Sequence, residues 1–186
     1  MPPGQLLLLT GAPGCGKTTV APLVADHAPL SACLDLDWFF AKLHSGALDP
    51  WREEAHRQNR VVLSAAASAV ATFTAGGYFT VADGILYPFM LDLFVSACEP
   101  LGIELNYAVL RAPLPVVLAR VEARTAEHQH RAPADAGVVQ ALWDGFEAHG
   151  LDERHRVESG ERSPELIADE IYERCVQGSL CLRMRL

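Results

Sequence analysis

The 186-residue chain has no apolar run approaching a membrane span, which takes about 20 residues. Its early leucines, Leu6 to Leu9, are too few for a signal peptide and lack a basic flank, so they read as a buried strand. There is no C-x-x-C pair. The five cysteines, at 15, 33, 98, 175 and 181, are scattered and odd in number. That pattern suits a reducing, cytoplasmic setting and argues against zinc. Basic residues are in deficit, 15 against 23 acidic, for a formal charge of −8. Such a balance disfavours general binding to nucleic acid. Repeats, linkers and low-complexity segments are also missing. Half of the residues are hydrophobic, so a single domain over 1–186 with a real core is expected.

What is present begins with Gly11-Ala12-Pro13-Gly14-Cys15-Gly16-Lys17-Thr18, which fits G-x-x-x-x-G-K-[ST]. It follows an apolar stretch and opens a helix-compatible one, the context a P-loop needs. Glycines let the backbone curl so that N–H groups face an anion, and the next helix adds its positive end. Lys17 then reaches terminal phosphates and the Thr18 hydroxyl holds Mg²⁺. The pattern points to a nucleoside triphosphate, ATP. Cys15 reads as a bystander that contributes backbone.

Short apolar segments alternate with amphipathic ones. Strands are predicted at 5–10, 32–36, 78–82, 103–110 and 156–158. Helices are predicted at 17–27, 38–44, 52–75, 88–98, 115–124 and 135–149, with a last one opened by Ser163 and Pro164. Pro22 predicts a mild kink in the first helix. The polar segment 125–134 reads as a mobile lid, and the tail 177–186 has no reading. Steady alternation implies an α/β fold, a parallel sheet with helices on both faces. Ligands then sit outside the carboxyl ends of the strands.

The residues that follow strands are therefore the ones to weigh. Asp35 and Asp37 lie two apart, on one face if both belong to the strand. One serves Mg²⁺ and the other orients or deprotonates an attacking hydroxyl. The plain alternative is a solvated acidic turn capping the next helix. Asp83 and Gly84 suit a Walker B-like acid or a substrate contact. Gly follows Asp83 where a hydrolytic motor would place Glu, and the guanine-reading N-K-x-D is absent. Both absences lower the motor and GTPase readings. Arg120 reads as an ordinary exposed helix arginine, whereas Arg124 and Arg131 suit a closing lid. His128 and His130 beside them read as solvated lid residues.

Together these residues resemble the small P-loop kinases of the nucleoside-monophosphate-kinase-like class, among them shikimate and gluconate kinases, chloramphenicol phosphotransferase, and the zeta-toxin and polynucleotide-kinase relatives. The resemblance implies a three-layer P-loop NTPase fold, a five-stranded parallel sheet with a flexible lid. It places Gly11, Ala12, Pro13, Gly14, Cys15, Gly16, Lys17, Thr18 and Thr19 on ATP, with Thr19 at the α-phosphate. It puts Thr18 and Asp35 on Mg²⁺ and Asp37 on the substrate side. It packs Arg124 on adenine, brings Arg131 to the phosphates, and sets Glu158-Ser159-Gly160 as the adenine loop. Phe40, Asp83, Gly84 and Tyr87 fall on the acceptor side. Trp38, Phe39, Phe40, Tyr87 and Phe89 can line a pocket for an apolar or aromatic alcohol, or be plain helix core. Arg57 and Arg60 fit an exposed helix face better than an acceptor carboxylate. The implied activity is ATP-dependent phosphoryl transfer to a hydroxyl of a small molecule, by a monomer or homodimer. Two alternatives stay open: a nucleotide-gated protein that sequesters a drug with little turnover, and a toxin-like nucleotide-sugar kinase.

Overall fold

Four consecutive leucines leave no polar face to present to water, so they belong in a strand covered on both sides. That strand is β1 (Leu6–Thr10), and every residue in it is buried. It occupies the middle of a five-stranded sheet in the computed structural model, which describes residues 4–127, 135–148 and 152–182, with backbone alone over 124–127. β3 (Phe79–Asp83) and β4 (Leu105–Arg111) flank it, and β2 (Ser31–Asp35) and β5 (Arg156–Glu158) form the edges. The order is β2-β3-β1-β4-β5, and all four pairings are parallel.

Among the described residues seven α-helices flank the sheet. α1 (Lys17–Asp26) packs with α7 (Pro164–Val176), and α3 (His56–Ala75) packs with α2 (Leu36–Phe40) and α4 (Asp92–Cys98). α5 (Leu114–Glu127) and α6 (Ala136–Ala148) pack on each other near the carboxyl end of β4. This is the α/β P-loop NTPase architecture the sequence predicts. α1 runs unbroken through Pro22. Ser163 caps α7, as expected, by accepting from Leu166 N. Among the described residues no helix is long and apolar enough to cross a membrane.

Several boundaries move for local reasons. α2 starts at Leu36 rather than Trp38, because the Asp35 carboxylate accepts from Asp37 N and caps it. Asp37 therefore lies on a helix, not on β2, and the same-face strand argument for the pair does not apply. α3 starts at His56 after a 3₁₀ turn at Glu53–Ala55. The backbone of α5 continues to Glu127, so 125–127 of the expected lid are helical, while 128–134, with Arg131, His128 and His130, lie outside the described residues.

The tail has a role the sequence does not announce. β5 pairs only with the last three residues of β4. The start of β4 is covered instead by the chain after α7: Tyr107 N donates to Leu180 O (3.0 Å) and Leu182 N to Leu105 O (2.8 Å). Leu180 is fully buried there, and the otherwise open strand edge is closed.

Candidate active site

The loop from β1 to α1 holds its shape through positive φ at Gly14 (+82°) and Gly16 (+100°), a region side chains avoid. A Cβ on Gly14 would also lie 2.7 Å from Val117 O, so α5 packs directly on the loop. Gly16 caps α1 without a side chain, which leaves the helix's positive end facing outward. Lys17 Nζ donates to Gly11 O (2.9 Å) and Ala12 O (3.1 Å). Cys15 is buried, and burial pushes its thiol pKa up. Its carbonyl accepts from Ser159 Oγ (2.9 Å).

A cavity of about 390 Å³ opens over this loop, with Lys17, Thr18, Thr19, Asp35, Asp37 and Asp83 on its wall. Asp35 and Asp83 are register partners at the carboxyl ends of β2 and β3. The Thr18 hydroxyl donates to Asp83 Oδ2 (3.3 Å). Burial, then the Asp35 charge, pushes the Asp83 carboxyl up to about 6, against the opposing pull of Lys17 and the Thr18 hydrogen bond. These are hard oxygen donors at one end of an anion cradle. No group of three or more His, Cys, Asp or Glu able to hold a metal occurs among the described residues. Mg²⁺ fits that arrangement, because it takes one or two protein oxygens and completes its shell with phosphates and water. Gly84 is glycine for a packing reason: a Cβ there would meet Leu36 Cβ at 2.8 Å.

Arg120 departs from its expected role as an exposed helix charge. It is half-buried, and its guanidinium donates to Gly14 O (3.3 Å), Ser159 O (3.3 Å) and Gly160 O (2.7 Å). It thus ties the P-loop to the loop after β5 and stands on the wall of the phosphate cavity. No sequence signal marked this, because its partners at Gly14, Ser159 and Gly160 are distant along the chain. Nothing is described of the Arg124 side chain.

A second cavity, about 650 Å³, adjoins the first. Its wall is drawn from five separate stretches, represented by Pro13, Phe40, Leu63, Tyr87 and Leu142, with Trp51 and Met90 beside them. α6 is held in place as one side of it. Arg111 makes a two-pronged bond to Glu147 (2.8 Å each), Trp143 Nε1 donates to Ala112 O (2.9 Å), and Tyr87 Oη donates to Leu142 O (3.0 Å). The loop after β3 is pinned as well, by Leu86 N to Thr10 Oγ1 (2.8 Å) and Tyr107 Oη to Leu86 O (2.6 Å). Of the expected aromatics, Phe40 and Tyr87 line the cavity. Trp38 and Phe89 are largely exposed, and Phe39 packs against the core. Asn59, Trp51 and the α6 residues on the wall carry no motif and were not singled out from the sequence. Pro13, Asp37 and Ile85 line both cavities, so the two spaces meet at Asp37.

A protein-family profile described as an AAA domain matches residues 6–149. Among solved structures, APS kinase of Mycobacterium tuberculosis in complex with AMPPNP and APS is similar at 18% identity and TM-score 0.67, covering 95% of this chain and 99% of that one. The Deinococcus radiodurans tunicamycin resistance protein is similar at 19% identity and TM-score 0.64, over 92% and 95% of the two chains. Shikimate kinase of Acinetobacter baumannii in complex with shikimate follows at 15% identity and TM-score 0.58, over 95% and 96%. At these identities the likeness is one of fold. A search of curated proteins finds no match.

Proposed function

The chain belongs to the AAA domain family, and from that premise we propose that it is an ATP-dependent phosphotransferase acting on a hydroxyl of a small molecule. The observation that supports this best is the wall of Pro13, Asp37 and Ile85 shared by a polar and an apolar cavity. A triphosphate in the first and an alcohol in the second would bring the γ-phosphorus and the hydroxyl together beside a carboxylate. Similar folds that carry AMPPNP with APS, or shikimate, accord with a two-ligand arrangement.

In this reading the backbone of Gly14, Gly16 and their neighbours cradles the β- and γ-phosphates, and Lys17 leaves its carbonyl partners to meet them. Thr18 and Asp83, with Asp35 beside them, would hold Mg²⁺, which would offset phosphate charge. We assign Asp83 to this group because its carboxylate already shares a hydrogen bond with Thr18, while Asp35 is engaged in capping α2. Asp37 orients the acceptor hydroxyl and takes its proton as the new O–P bond forms. The bond from the γ-phosphorus to the bridging oxygen breaks, and ADP leaves. Arg120 keeps the P-loop and the adenine-side loop in register. Arg124 on the base and Arg131 on the transferred group complete the proposal.

Incubation with ATP, Mg²⁺ and a library of alcohols, read by mass spectrometry for an added phosphoryl group, tests the reading. Transfer to at least one alcohol, dependent on Lys17, supports it. Tight alcohol binding with no transfer to any member would replace it with the sequestering alternative.

A further inference from the structure

The second cavity restricts what can enter it. Its volume of about 650 Å³ lies in the range of sites for drug-sized molecules. Its wall is mostly aliphatic and aromatic, with Leu36, Leu63, Ile85, Met90, Val138 and Leu142 beside the rings already named. Besides the Tyr87 hydroxyl, which donates to Leu142 O, and the Trp51 indole, Asp37 and Asn59 are the polar side chains described on it. The Asn59 amide nitrogen donates to Pro50 O (2.7 Å), and its Oδ1 has no hydrogen-bond partner among the described residues. Both residues therefore bring acceptors.

No lysine or arginine lines this cavity among the described residues. Of the basic side chains nearest in sequence, Arg57 is exposed and off the cavity wall, and three others have partners elsewhere. Arg60 pairs with Asp92 (3.4 Å), Arg52 with Glu54 (3.7 Å), and Lys42 Nζ sits 4.3 Å over the Trp38 ring. Across the shared wall stand three carboxylates, Asp35, Asp37 and Asp83, and two cations, Lys17 and Arg120; in the phosphotransferase reading Lys17 is taken by the phosphates, and Arg120 donates to the carbonyls of Gly14, Ser159 and Gly160. An anionic body in this cavity would lose its hydration, gain no counter-charge from the described residues of its wall, and face the Asp37 carboxylate. A neutral apolar body loses little and buries area against ten or so carbon-rich side chains.

Resting on the phosphotransferase reading of this site, we propose that the acceptor is an uncharged, predominantly apolar alcohol of drug size, and that sugar acids, carboxylated rings and nucleotide-sulfate acceptors are excluded by charge. The reacting hydroxyl meets Asp37, and the carbon body fills the space between α3, the loop after β3 and α6.

The test uses matched pairs of aromatic and alicyclic alcohols, each neutral member paired with its carboxylate-bearing analogue, together with shikimate, gluconate and adenylyl sulfate. Binding is measured by calorimetry with AMPPNP and Mg²⁺ present, and transfer by mass spectrometry with ATP. Neutral members should bind at least about tenfold more tightly than their partners, as a penalty of 1.4 kcal/mol or more requires. A Met90→Lys variant, which sets one cation on the cavity wall, should narrow or reverse that ratio while AMPPNP binding stays unchanged. Preferred binding or phosphorylation of the anionic members by the wild-type protein would overturn the proposal and leave the phosphotransferase reading intact. Tight neutral binding with no transfer would uphold the charge selection and overturn the phosphotransferase reading instead. A ratio near one in both wild type and variant would show that the cavity does not select on charge and would also overturn the proposal.

Discussion

The two cavities that meet at Asp37 are built in opposite ways. The phosphate side is polar and mostly local: a single loop of eight residues supplies the cradle, and the ends of two neighbouring strands supply the carboxylates. The second cavity, the acceptor side in our proposal, is apolar and non-local, assembled from segments as far apart as Pro13 and Leu142. A local site depends on backbone conformation, which a short motif dictates. A non-local one depends on how helices dock, here on Arg111–Glu147, Trp143–Ala112 and Tyr87–Leu142.

The sharpest way to break the comparison is to cut the two sides apart at their junction. Asp37→Asn should lower transfer by about 10²–10⁴-fold, the usual worth of general-base assistance. AMPPNP affinity, followed by calorimetry, should hardly change, because the phosphate cradle is untouched. An equal loss of nucleotide binding would place Asp37 wholly on the phosphate side.

Lys17→Ala should damage the polar side alone. Turnover of ATP is expected to fall by about 10²–10³-fold, as for loss of one preorganised charge-stabilising donor. Circular dichroism should report an intact fold, since the hydrogen bonds lost run to Gly11 O and Ala12 O within the same loop. Binding of a neutral alcohol to the apolar side should survive.

Asp83→Asn separates stability from function. The folded protein holds this carboxyl's pKa near 6, against about 4 in an unfolded chain. Between those values the folded state binds more protons. The stabilising contribution is therefore full below about pH 4 and is lost as pH rises through about 6. Removing the ionisable group should raise nucleotide-free stability at pH 8 by up to about 3 kcal/mol. Thermal unfolding at pH 8 and pH 5 checks this, and the gain should shrink at the lower pH. The same variant should need more Mg²⁺ for activity.

Arg120→Ala is expected to have the smallest effect. Losing charge-assisted bonds that tie the P-loop to the loop after β5 should weaken ATP binding by about tenfold, in line with about 1.5 kcal/mol for such a contact. An unchanged affinity by calorimetry would return Arg120 to the bland reading.

The same contrast explains what could be read from the chain. Gly11 to Thr19 were legible because phosphate cradling needs glycines and a lysine at fixed spacing, and β1 because four leucines have one place to go. The parallel sheet of five strands followed from alternation, whereas its order, β2-β3-β1-β4-β5, was not read from the sequence. The fate of Asp37 was not legible, since whether Leu36 ends a strand or starts a helix is decided by a single cap from Asp35. Nor was Arg120, whose partners Gly14 and Gly160 are distant in sequence. Trp51, Asn59 and Val138 lack any motif, and only the docking of α3 and α6 brings them to one wall. Leu180 could not be assigned because its burial answers the shortness of β5.

The central claim is that the terminal phosphate and the acceptor meet at the wall of Pro13, Asp37 and Ile85. A crystal structure with AMPPNP and Mg²⁺ tests it without knowledge of the acceptor. The account predicts the β- and γ-phosphates in the loop from Gly11 to Thr18, Lys17 Nζ on them, and the γ-phosphate facing Asp37 with the apolar cavity beyond it left open. A nucleotide whose γ-phosphate points away from Asp37, or whose base fills the apolar cavity, would contradict it.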